Sequence, residues 1–139
     1  QHKESGTIAI TDKRMTRFWI TLEQGVEFVI QCIASMYGGE IFVPKIPSMR
    51  IMDLAEAIAP ASKTKIIGIR PGEKLHECLL TEDEARHSLE FDKFFVIEPE
   101  HRWWKVKNWE GGKTLPDGFR YTSDKNDNWL TTPQLQKMI

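Results

Sequence analysis

Lys65-Ile66-Ile67-Gly68-Ile69-Arg70-Pro71-Gly72-Glu73-Lys74 sets an apolar run directly against a charged turn. The run reads as a buried strand, and proline followed by glycine fixes the turn after it. In α/β proteins the ends of strands are where ligands are held. A guanidinium at that place can grip phosphate oxygens through two parallel hydrogen bonds, which an ammonium cannot do. A solvated Arg–Glu–Lys cluster on a surface turn is the commoner use of the same residue types. Upstream lies a second basic stretch, Lys13-Arg14-Met15-Thr16-Arg17-Phe18-Trp19.

Around these stretches helices and short strands alternate. Ile8 and Ile10 alternate as in a short strand. Thr21 with Gln24 forms a capping-box pattern before Leu22, Val26, Val29, Ile33 and Met36, which recur at helical spacing. The expectation is an amphipathic helix with that face buried, stopped by Gly38-Gly39. Gly25 inside it reads either as a close approach of another backbone or ligand, or as mere tolerance. Glu40 to Pro44 reads as a strand, Met52 to Ala59 as a helix ended by Pro60, and Thr81 to Arg86 as a helical turn. Leu75 to Leu80 is of open type. Phe94-Phe95-Val96-Ile97 is a strand, and Thr132 caps a last helix with Pro133 at its first position. Residues 99–131 read as an irregular segment. The class is therefore α/β or α+β with a minor sheet.

Composition narrows the function. The 139 residues fit one domain, are 40% hydrophobic and 28% charged, and carry a formal net charge of −1. That balance disfavours a nucleic-acid binder, although Arg102 to Trp109 interleaves basic and aromatic side chains. Packing or a subunit contact is the expected role of Trp103, Trp104 and Trp109. The longest apolar run, Phe94 to Ile97, is far short of the roughly 20 residues that a spanning helix needs. The segment from Gln1 to Gly6 has no apolar core and does not read as a signal peptide. Cys32 and Cys78 read as reduced thiols of a cytoplasmic protein, with no zinc spacing. His76-Glu77 lacks the second histidine of a zinc-protease motif, and no metal site is expected.

Three long blocks carry a resemblance. They run from Thr11 to Thr21, from Gly38 to Met49 and from Ile67 to Glu77. In this order they resemble the C-terminal, substrate-binding part of the configuration-inverting UDP-N-acetylglucosamine 4,6-dehydratases, members of the extended short-chain dehydrogenase/reductase superfamily. Tyr121-Thr122-Ser123, Asn126 and Trp129-Leu130 resemble the family's closing segment. The resemblance implies a small α/β nucleotide-sugar-binding domain over residues 1–139, lacking the Rossmann cofactor domain. It implies a role in bacterial surface-polysaccharide or pseudaminic acid biosynthesis. In complete enzymes of this kind bound NADP takes a hydride from C4, water leaves across C5 and C6, and the hydride returns to C6. No G-x-G-x-x-G is present here, so no cofactor residue is expected in this chain. The resemblance places the family's catalytic residues upstream of the part represented here, so it implies no catalytic residue in this chain. Arg17 and Arg70 are the implied diphosphate ligands. Glu73 is implied to accept from a nucleotide hydroxyl or to orient Arg70. Lys13, Arg14 and Lys74 add a steering field.

The pattern Tyr121-x-x-x-Lys125 has the superfamily's catalytic spacing but sits in a polar, aperiodic stretch, and no catalytic role is placed on it. The expected partners are a UDP-sugar, a Rossmann half supplied in trans, and further copies of the chain, with neither nucleic acid nor membrane. The alternative is a non-catalytic nucleotide-sugar-binding or oligomerisation module.

Overall fold

The computed structural model describes residues 6–101 and 109–139, so Trp103 and Trp104 lie outside the described residues. In chain order its elements are β1 (Thr7–Ile10), β2 (Thr16–Phe18), α1 (Leu22–Ser35), β3 (Ile41–Pro44), β4 (Ser48–Arg50), α2 (Ile51–Ile58) and β5 (Lys63–Ile66). They continue with β6 (Cys78–Leu80), α3 (Glu82–Ala85), β7 (Ser88–Glu90), β8 (Phe94–Ile97), β9 (Lys113–Thr114), β10 (Tyr121–Thr122) and α4 (Thr132–Met138). The chain folds as two compact units, one of residues 6–19, 46–77 and 122–139, the other of residues 20–45, 78–101 and 109–121.

In the first unit β1 and β5 pair in parallel, with Ile10 opposite Ile66. β2 and β4 pair antiparallel, with Arg17 opposite Met49. Helix α2 packs on α4. Ile10, Met15, Met49, Ala55 and Leu135 are the buried apolar side chains. Helix α2 starts at Ile51, one residue before the expected Met52, without a side-chain cap, and the cap of α4 is Thr131, one residue earlier than Thr132. Thr131 is the threonine that has a glutamine three residues on, and Gln134 completes a capping box with it.

In the second unit the four-stranded sheet runs β3-β8-β7-β9, all antiparallel. Val43, Leu80, Ala85, Phe95, Val96 and Tyr121 are this unit's buried apolar side chains. A ring cluster fills one side, where Trp109 meets Tyr37, Phe42, Phe91 and Phe94 edge to face. Helix α1 begins at the Thr21/Gln24 capping box as expected. It ends earlier, at Ser35, and Gly38 and Gly39 (φ +110° and +95°) shape the return instead. The Glu40 carboxylate accepts from the Tyr37 and Gly38 amides there.

The burial expected of α1 is corrected. None of its residues is buried, and Leu22 and Ile33 are 79% and 65% exposed. The helix has two apolar sides. Phe28 meets Phe94 with tilted rings, centroids 6.3 Å apart, and Cys32 lines the same small cavity. The Leu22/Val26/Val29/Ile33 side faces out. A Cβ placed on Gly25 would meet nothing within 4 Å, so no backbone approaches it closely among the described residues.

The expected buried strand at Lys65–Ile69 is also corrected. β5 ends at Ile66, all four of its residues are exposed, and Ile67 and Ile69 are exposed as well. An apolar run is buried only if a second layer covers it, and the described residues put none over this one. No helix among the described residues is long and apolar enough to cross a membrane.

Candidate functional site

The turn after β5 is built as its sequence requires. The Ile67 amide still donates to the Ile10 carbonyl at 2.9 Å, after which Gly68 takes φ +87° and leaves the sheet. Arg70 therefore stands beyond the strand, not at its last position. The Glu73 amide closes the turn onto the Arg70 carbonyl at 3.0 Å, and Gly72, between Pro71 and Glu73, takes φ +77°. Proline followed by a glycine at positive φ is the signature of a type II turn.

Glu73 holds that turn from inside. One carboxylate oxygen accepts from the Arg70 amide at 3.1 Å, and the other lies 3.4 Å from the Thr11 hydroxyl. It therefore orients the backbone of Arg70 and not its guanidinium. The Arg70 guanidinium is exposed and pairs with no carboxylate among the described residues. It is the charged member lining an apolar groove of about 680 Å³ between β1 and α2, whose other walls include Ile8, Ile10, Leu54 and Ile58.

Arg17 is placed very differently. From β2 its Nη1 donates to the carbonyls of Thr16 (2.7 Å) and Leu75 (3.1 Å), and its Nη2 to that of Lys74 (2.9 Å). Its Nε faces a Glu77 carboxylate oxygen at 3.3 Å. A guanidinium has five N–H groups, so one, on Nη2, is left. Arg17 is thus a clip that fastens the segment after the turn to β2. The first and third blocks singled out in the sequence meet through it, 58 residues apart along the chain.

The other cations divide. Arg14 is spent on Asp12 at 2.8 Å. Its guanidinium hydrogen bond, helped by its amide, holds the Asp12 carboxyl down at about 2. Lys13 and Lys74 are exposed and make no ion pair among the described residues.

Three side chains to which the sequence assigned no binding role complete the neighbourhood. Thr16 Oγ1 lies 2.8 Å from His76 Nδ1 and 2.7 Å from Ser123 Oγ, and Ser123 Oγ accepts from the Glu77 amide at 2.9 Å. A threonine beside an arginine and a histidine beside a glutamate carry no spacing signal, so only the fold joins them. Tyr121 sits in β10, which ends at Thr122, and the chain then turns, the Lys125 amide donating to the Thr122 carbonyl at 3.2 Å, so Tyr121 and Lys125 do not share a helix. Among the described residues no three His, Cys, Asp or Glu side chains converge on a metal position.

A dinucleotide cofactor needs a strand, a glycine-rich loop and an open helix N-terminus in succession. The parallel strands β1 and β5 run into turns instead of a glycine-rich loop, and at the start of α1 the Thr21 side chain already takes the Gln24 amide. The residues present do not fit NADP, and no step is derived through it.

The chain belongs to the family described as polysaccharide biosynthesis protein, whose model matches residues 1–99. Within it, the chain is 47% identical to the UDP-N-acetylglucosamine 4,6-dehydratase (inverting) of Campylobacter jejuni serotype O:2, over 95% of this chain and 42% of that protein. It is 32% identical to the capsular polysaccharide biosynthesis protein CapD of Staphylococcus aureus, over 73% of this chain and 18% of that protein. The X-ray structure of Pen from Bacillus thuringiensis superposes with a TM-score of 0.79 at 31% identity, covering 100% of this chain and 41% of that one. The resemblance read from the three blocks is borne out, as is the small mixed helix–strand fold. The chain spans about two-fifths of the length of the dehydratase relatives it matches.

Proposed function

We propose that the chain is the UDP-sugar-binding portion of an inverting UDP-N-acetylglucosamine 4,6-dehydratase. It would act in the cytoplasm, in bacterial surface-polysaccharide or pseudaminic acid biosynthesis. The observation that carries this reading is the clip itself. Arg17 joins two family-like blocks into one basic corner beside the Arg70 turn. Arg70 takes the diphosphate through its free fork, with the nucleoside along the apolar groove beside it. Arg17 contributes its one remaining N–H. Each Glu73 oxygen retains a lone pair, so the carboxylate can still accept from a ribose hydroxyl on the side away from the diphosphate, where charge repulsion is least. Lys13 and Lys74 attract the dianion from a distance.

No general base or nucleophile is assigned to this chain, and the dehydration chemistry is proposed for a cofactor-bearing half supplied in trans. Calorimetric titration should detect UDP binding to the 139-residue chain. The pure chain with added NADP should give no dehydrated UDP-N-acetylglucosamine. Silent titrations would overturn the nucleotide-sugar reading, and turnover by the pure chain would overturn the binding-only part of it.

One observation favours an assembly role as well. The outward side of α1 presents Leu22, Val26, Val29 and Ile33, and the first three line a shallow apolar groove of about 480 Å³ together with Ile20, Gly25 and Ile30. A patch of this kind is a contact surface more often than a free one. The chain alone is expected to sediment as a dimer or larger species. Ile33→Glu, which puts a charge in the exposed apolar stripe, should shift it toward monomer. A wild type that stays monomeric at high concentration would remove the assembly role.

A further inference from the structure

The hydrogen bonds around Thr16 have a direction. Thr16 is 5% exposed and Ser123 is 0% exposed, so both hydroxyls must find protein partners. Each has a single proton to give. Ser123 Oγ already receives the Glu77 N–H. If Ser123 donates to Thr16, then Thr16 donates to His76 Nδ1, and every proton is used. If Nδ1 carries a proton, it donates to Thr16, Thr16 turns to Ser123, and the Ser123 proton is left without an acceptor among the described residues. The geometry is therefore satisfied by a neutral ring with its hydrogen on Nε2.

This short chain of hydroxyls ties together the two pieces that hold Arg17. Thr16 supplies one of the carbonyls on the guanidinium, and residues 74–77 supply the other two and the carboxylate. We propose that His76 is a positioning residue for the nucleotide sugar: with Nδ1 as acceptor it fixes Thr16 and the 74–77 segment, and through them aims Arg17. The inference rests on Arg17 belonging to the nucleotide-sugar site.

Charged groups face the ring from several segments. Asp12, paired with Arg14 in the loop after β1, and Asp124, next to Lys125 after β10, both act electrostatically on His76. Lys74 and Glu77 flank it on its own segment, and Arg17 approaches from β2. The hydroxyl chain is complete only with the neutral ring. Protonation therefore reverses both hydroxyls and loosens the clip.

The test is titration of UDP-N-acetylglucosamine into the 139-residue chain and its variants. The two conditions are about pH 8 and about pH 5.5, spanning the range in which histidine changes charge. The sugar-substituted diphosphate keeps its charge across that range. Wild type should lose about tenfold in affinity on acidification, which corresponds to about 1.4 kcal/mol. In His76→Asn an amide oxygen takes the place of Nδ1 and does not titrate. That variant should stay within about threefold of wild type at the higher pH and show no pH dependence. Thr16→Val should be about tenfold weaker at both values. Long-range nitrogen–proton NMR of the unliganded chain should find the neutral His76 ring protonated on Nε2. The same acid-induced loss in wild type and His76→Asn would overturn the positioning role while leaving the nucleotide reading in place. A neutral ring protonated on Nδ1 would overturn it whether or not the variants fold. A wild type that does not bind the probe at either pH would remove the functional reading and this inference with it.

Discussion

Arg70→Ala is expected to weaken UDP binding by about one to two orders of magnitude while leaving the melting temperature within about 2 °C of wild type. The two halves of that expectation come from one fact. The Arg70 guanidinium has no carboxylate partner among the described residues, so removing it breaks no internal ion pair. Its backbone is nonetheless held on both sides, by the Glu73 carboxylate on its amide and by the closed turn on its carbonyl. A free cation on a fixed support is arranged for an anion that arrives from outside. A hydrogen bond to a charged group contributes about 1.5–3 kcal/mol, and that sets the size of the loss. Arg70→Lys should recover little of it, because an ammonium cannot reproduce the planar fork. Unchanged UDP affinity in Arg70→Ala, or full recovery with lysine, would sink the assignment. A large fall in melting temperature would show that the guanidinium has a structural partner instead.

What the sequence revealed of the fold depends on how local each signal was. The capping box at Thr21 and Gln24, the strand at Phe94–Ile97 and the Pro71-Gly72 turn are written in a few adjacent residues, and all stand where they were expected. The three-residue strands β2, β4 and β7 left no trace. Three residues are too few to show alternation, and β2 becomes a strand only because β4, far along the chain, supplies its partner. Burial was the least legible property. Ile66, Ile67 and Ile69, like Val26 and Val29 on α1, are apolar and exposed, because burial is a relation between a face and whatever covers it.

The site divides in the same way. That the blocks around Arg17 and Arg70 belong together was legible through their resemblance to one family. What each arginine does with its donors was not. Residue type says that a guanidinium can bind oxygen, but phosphate oxygens and backbone carbonyls satisfy it alike. Arg17 and Arg70 therefore looked equivalent in the sequence, and the fold separates them into a clip and a free cation. The joint role of Thr16, His76 and Ser123 stayed hidden because the two hydroxyls that meet are 107 positions apart in the sequence.

Arg17→Ala should accordingly behave unlike Arg70→Ala. It removes the donors from the Thr16, Leu75 and Lys74 carbonyls together, and it leaves the Glu77 carboxylate without its cation. These bonds share one side chain and are not additive, and with 22% of that side chain exposed, water replaces part of what is lost. A net destabilisation of about 2 kcal/mol follows, or a fall of about 8 °C in melting temperature for a domain of this size. UDP binding should weaken as well, by about tenfold, since the clip both aims one N–H and holds the segment that follows the Arg70 turn. Arg17→Lys should rescue little of either, because one ammonium on a flexible stem cannot span three carbonyls that converge on a planar group. Paired thermal melts and titrations of the Arg17 and Arg70 variants give the decisive comparison. Loss of binding in Arg17→Ala with an unchanged melting temperature would mean that its guanidinium is held for the ligand, and the clip would then have no structural role.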